Sequence, residues 1–97
     1  MGNQRLSPKK LEEAASKLRA IAHPMRIAII GLLETHEQMT VTEVYESLKI
    51  EQASASHHLN ILKTKGVLES KRSGKNTLYS IKHEALGQII DCLSRCQ

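Results

Sequence analysis

Gln52-Ala53-Ser54-Ala55-Ser56-His57-His58-Leu59-Asn60-Ile61-Leu62, closed by Lys63-Thr64-Lys65-Gly66, decides the fold. At about 100° per residue a helix here puts Ala55, His58, Leu59 and Leu62 on one side. Ala53, Ser56, His57, Asn60 and Thr64 fall on the other. The first face is built to pack; the second is small and polar. Gly66 can take the left-handed conformation that ends such a helix. Two short β-like runs follow, Val67 to Arg72 and Thr77 to Ile81, joined by Ser73-Gly74-Lys75-Asn76. A polar-faced helix feeding a basic hairpin is a DNA-reading arrangement.

The charge map points the same way. Residues 49–82 carry seven Lys/Arg and two Glu, a net +5, while residues 1–48 are balanced at six and six. Residues 83–97 carry one Arg against Glu84 and Asp91, so the whole excess of +4 in this 97-residue chain lies in the one segment. A block of that kind is the footprint of a polyanion partner.

Working outward, the helices announce themselves by spacing and caps. Ser7-Pro8 reads as an N-cap with proline at the first helical position. Leu11, Ala14, Ala15, Leu18, Ile21 and Ala22 then recur at helical spacing. His23-Pro24 interrupts, and a second helix runs to about Glu34 with Ile27, Ile30 and Leu33 expected inward. Thr35 to Met39 reads as a polar loop. Thr40-Val41-Thr42-Glu43 is a capping box opening a third helix to about Leu48. Lys49 to Glu51 is a turn, the fourth helix spans Gln52 to Lys65, and His83 to Cys96 forms a fifth. The expected fold class is mainly α with a small β-hairpin, a winged helix-turn-helix in the order ααααββα. Residues 1–6 are expected to be a flexible tail, and residues 7–97 a single DNA-binding and dimerisation domain.

The residues expected to meet DNA are Gln52, Ser54, Ser56, His57, Asn60 and Lys63 on the fourth helix, with Lys71, Arg72, Lys75 and Asn76 on the hairpin. Ser, Asn, Gln and His can bond base edges in the major groove, and lysines and arginines hold the backbone or an adjacent minor groove. The plainer alternative is a solvated face with Lys/Arg serving solubility, but helix pattern, turn, hairpin and charge coincide. His57 and His58 are adjacent, so they point about 100° apart and make a poor chelate; His58 is expected to be a partly buried packing residue.

With these residues in place the chain resembles the ArsR/SmtB family of bacterial repressors. Ala22-His23-Pro24-Met25-Arg26 before Ile27 to Leu33 is similar to the family's second-helix start. Ser54-Ala55-Ser56-His57-His58-Leu59-Asn60-Ile61-Leu62 resembles its recognition helix. Gly66-Val67-Leu68, Arg72-Ser73-Gly74-Lys75 and Leu78-Tyr79 resemble its wing. The resemblance covers about Leu11 to Cys96. It implies a homodimeric repressor, paired through its first and last helices, that leaves DNA when an inducer binds. The expected interface is Leu11, Ala14 and Leu18 with Leu86, Ile89, Ile90 and Leu93. The last four, flanked by Ala85, Cys92 and Cys96, independently form a wide apolar arc.

Family members that sense thiophilic metals carry a cysteine pair entering the third helix; the matching positions here are Thr40 and Thr42, poor ligands for soft ions. Others bind zinc between the two last helices. There the matching positions leave His83 and Cys96 as candidate ligands, with Ala85 at a lost one and a single residue after Cys96. No metal and no cofactor is expected, His83, Cys92 and Cys96 being the weak metal candidates. Cys92 and Cys96 stand at i, i+4. They can be thiolate or redox groups, or two small hydrophobes in the apolar arc; within one helix they do not suit a disulfide.

A core without Phe or Trp is aliphatic and thin in a chain this short, which favours association. No Gly-rich phosphate loop, HExxH or nucleophile elbow is present, so an enzyme is not expected. The expected partners are a second copy and double-stranded DNA, as an imperfect palindrome, with no membrane; the expected location is the cytoplasm. A thiol- or metal-responsive sensor, and a winged-helix module for protein or RNA, are the alternatives.

Overall fold

A computed structural model describes residues 7–86. The elements run α1 (Pro8–Ile21), α2 (Pro24–His36), β1 (Met39–Thr40), α3 (Val41–Leu48), α4 (Gln52–Thr64), β2 (Leu68–Ser73) and β3 (Asn76–Ile81). A further helix begins at His83. The tail at residues 1–6, and the interface and thiol positions Ile89, Ile90, Cys92, Leu93 and Cys96, lie outside the described residues.

The helix starts follow their local chemistry. Ser7 accepts from the Lys10 amide and Pro8 occupies the first turn of α1. At α2 the cap is an imidazole: His23 Nδ1 accepts from the Met25 amide at 3.1 Å. Both halves of the capping box form at α3, with Thr40 N–H donating to Glu43 Oε1 at 2.9 Å and Glu43 N–H to Thr40 Oγ1 at 3.1 Å. The turn between α3 and α4 passes through Lys49, in the left-handed region at φ 56° and ψ 45°. Gly66, at φ 80°, ends the segment after α4.

The core gathers Ile29 and Leu33 of α2, Val44 of α3, Ala55, Leu59 and Leu62 of α4, and Val67, Leu68 and Ile81 around the hairpin, with Ala20 and Met39. Helix α4 packs against α1, α2, α3 and β2, with Ala55, His58, Leu59 and Leu62 buried.

The structure departs from the sequence reading in four places. Ile27 points outward and is 56% exposed, while Ile29 is fully buried. Helix α2 is apolar almost all the way round, so periodicity does not choose its inner face; packing does. The helix also runs on to His36. The expected loop at Thr35 to Met39 ends in a strand: β1 pairs antiparallel with β3, Met39 opposite Tyr79 and Thr40 opposite Leu78, giving a three-stranded sheet in the order β1-β3-β2. Finally the hairpin connection is only Gly74-Lys75, because Ser73 and Asn76 pair. Gly74 takes φ 63° at the first central position, the residue such tight hairpins favour there.

Candidate nucleic-acid interface

Helix α4 divides as its sequence dictates. Ala55, His58, Leu59 and Leu62 are buried, and Gln52, Ala53, Ser54, Ser56, His57, Asn60, Lys63 and Thr64 are exposed. The exposed side chains near its start are short, so a groove wall can approach the backbone closely. Glu51, the N-cap residue, makes no side-chain cap bond. The first-turn amides of α4 are thus left for other acceptors, unlike those of α1, α2 and α3.

The hairpin β2–β3 follows α4 directly in the chain. Its root is buried at Leu68 and Ile81, and everything from Lys71 to Asn76 is exposed. Strand alternation sets Lys71 and Arg72 on opposite faces, so one surface cannot take both side chains in the same way. Lys75 at the turn is free of that restriction.

Beneath α4 lies a cluster that residue patterns did not reveal. His58 is 9% exposed. Its Nδ1 accepts from Arg26 Nε at 3.2 Å, and Arg26 Nη1 donates to the Ala20 carbonyl at 3.1 Å. The His23 ring stands 4.8 Å from the His58 ring, centroid to centroid, and the exposed His57 ring 5.6 Å away. Burial pushes the His58 imidazole below its ordinary value of 6.5, and the nearby His23, Arg26 and His57 push in the same direction. Thirty-two positions separate Arg26 from His58, so nothing local joins them. The only signals were a histidine on a packing face and an arginine beside a helix-starting proline.

The proposed dimer residues divide as well. Leu11 and Leu18 are exposed at 39% and 42%, whereas Ala14 is buried at 8% within its own chain. Leu86 is half-buried and packs against the core.

The α3 entry does not fit a thiophilic ion. Thr40 Oγ1 is engaged by the Glu43 amide, and Thr42 is an exposed hydroxyl. His83 is exposed, and the methyl of Ala85 is buried where a ligand would be needed. Among the described residues no group of three His, Cys, Asp or Glu side chains could hold a metal ion. Nor is any described helix long and apolar enough to cross a membrane.

Comparison with known proteins bears on this geometry. A family model for a helix-turn-helix domain matches residues 21–71, from the end of α1 into β2. The transcriptional repressor PagR of Bacillus anthracis is 37% identical over 87 residues, covering 90% of this chain and 87% of that protein. The chain belongs to the ArsR/SmtB-like family of winged helix-turn-helix transcriptional regulators. The repressor SmtB of Mycobacterium tuberculosis is 39% identical over 84 residues, 86% of this chain and 62% of that protein. The crystal structure of PagR superposes with a TM-score of 0.74 over 86% of this chain and 94% of that one. A homodimeric winged helix-turn-helix DNA-binding domain from Mycobacterium bovis, 23% identical, shares the fold at a TM-score of 0.73 over 98% of this chain and 83% of that one. This ArsR/SmtB-like chain is therefore a DNA-binding regulator and not an enzyme.

Proposed function

We propose that this regulator is a cytoplasmic homodimeric repressor that reads an imperfect palindrome, with α4 in the major groove and the β2–β3 tip on the backbone or an adjacent minor groove. The observation that carries the reading is the clean division of α4, every polar side chain of its outer face exposed above an inner face of Ala55, His58, Leu59 and Leu62 that is buried. Ser56, His57 and Asn60 are the base-edge readers, with Gln52 and Ser54 at the helix start. Lys63, Lys71, Arg72, Lys75 and Asn76 position the backbone, helped by the free amides at the start of α4. Leu11 and Leu18, one heptad apart and exposed on α1, support pairing of chains, with Leu86, Ile89, Ile90 and Leu93 supplying the rest of the interface. Two matched relatives are named repressors, which supports the direction of control.

The test uses a duplex selected from a random-sequence library by the purified protein. Ser56→Ala and His57→Ala should each weaken the selected site by about 1–3 kcal/mol and relax preference at particular base pairs. Lys75→Ala should weaken all sequences equally. A changed preference in Lys75→Ala with none in His57→Ala would mean the groove assignments are reversed.

A further inference from the structure

His23, Arg26 and His58 meet where the end of α1 and the start of α2 press on the buried face of α4. A guanidinium has only donors and keeps its proton in proteins, and a backbone N–H only donates. The partners therefore force both rings to accept at Nδ1: His58 from Arg26 at 3.2 Å, His23 from the Met25 amide at 3.1 Å. For His58, accepting there requires an unprotonated Nδ1, hence neutral imidazole. Among the described residues no carboxylate balances the group, the partners of Arg26 being the His58 ring and the Ala20 carbonyl. The titratable and charged groups acting on His58 are His23 and Arg26 from the α2 side and His57 from its own helix. The other elements packed on α4 set apolar residues into the shared core: Ala20 from α1, Val44 from α3 and Leu68 from β2.

We propose that Arg26 and His58 are positioning residues for the recognition helix, and that protonation of His58 releases α4 from α1 and α2 and weakens DNA binding. The inference rests on α4 being the reading helix. Arg26 ties two elements with one side chain: through Ala20 it grips the last turn of α1, the helix that carries Leu11 and Leu18, and through His58 it grips α4. Protonated His58 would turn a donor toward a donor and set a second cation against the guanidinium. The tilted contact between His58 and His57 passes any movement directly to a base-reading side chain. His58 lies below its ordinary 6.5 for the reasons of burial and neighbouring cations already given, so the bond is intact at neutral pH and fails in acid.

The sign makes the effect separable from simple charge. Acidification adds positive charge to exposed histidines and by itself tightens binding to a polyanion; release of α4 does the reverse. The experiment measures affinity for the library-selected duplex from pH 8 to pH 5.5 at constant ionic strength, with circular dichroism confirming a folded chain at each pH. Wild type should lose about tenfold or more on acidification. His58→Asn keeps an acceptor near Nδ1 but cannot titrate there, so its affinity should not fall on acidification. NMR titration of the wild-type His58 ring should coincide with the loss, which keeps the proposal testable if the variant folds poorly. A flat wild-type profile, an equal loss in His58→Asn, or titration of His58 without loss would each overturn it. Failure of the underlying reading looks different: His57→Ala would then leave binding at pH 8 unchanged.

Discussion

Salt is the perturbation whose effect can be worked from the surface of the molecule. Lys63, Lys71, Arg72 and Lys75 are all exposed on α4 and the hairpin. If each neutralises one phosphate, a pair of chains releases counterions at about eight contacts, and log affinity falls against log salt with a slope of about −7. Doubling the salt from about 0.1 to about 0.2 M then weakens binding roughly 100-fold, whereas a single bound chain, with a slope between about −3 and −4, loses only about tenfold. Lys75→Ala removes one contact per chain and should flatten the dimer slope by about 2. Fluorescence anisotropy with a labelled duplex across a chloride series gives the slope, and sedimentation of the same samples gives the oligomer. A slope near zero would refute the phosphate assignments altogether. A Lys75→Ala slope equal to wild type would refute the placement of the hairpin turn on DNA.

Three further outcomes follow from packing, backbone and titration. Leu59→Ala empties a fully buried position in the middle of the core and should cost about 3 kcal/mol, lowering Tm by roughly 15 °C. Its exposed neighbour Asn60→Ala should stay within about 0.5 kcal/mol while losing DNA discrimination. Glu37 sits at φ 66° and ψ −52°, with the Gln38 amide donating back to the His36 carbonyl at 2.7 Å. This is a strained γ-turn, so Glu37→Gly should stabilise by about 1 kcal/mol, and a lowered denaturant midpoint would contradict that. Because the folded chain holds His58 below 6.5, the unfolded chain takes up this proton first as pH falls. The contribution to stability is complete above pH 6.5, is lost as pH drops below it, and stops falling once the folded ring protonates too. Urea midpoints should therefore fall less between pH 7.5 and pH 5.5 in His58→Asn than in wild type.

Local chemistry in the sequence was enough for much of the site. Thr40 and Glu43 satisfy each other's amides whatever surrounds them, Gly66 takes a backbone angle other residues avoid, and Ala55, His58, Leu59 and Leu62 share one side of any helix formed there. The exposed polar face of α4 and the basic hairpin therefore lay open in the residue order, and so did the family. Tertiary structure alone decided four other matters. Helix α2 is apolar around most of its circumference, so only its neighbours could bury Ile29 and leave Ile27 in solvent. Strand β1 is two residues long, too short for any period, and exists because β3 offers Met39 and Thr40 a partner. Ala14 is buried within its own chain while Leu11 and Leu18 on the same helix stay exposed. Arg26 and His58 are joined across 32 positions by a bond that no spacing rule encodes. Caps and faces are set by interactions within a few residues, which sequence displays directly; pairings between distant segments depend on how whole elements pack, which it does not.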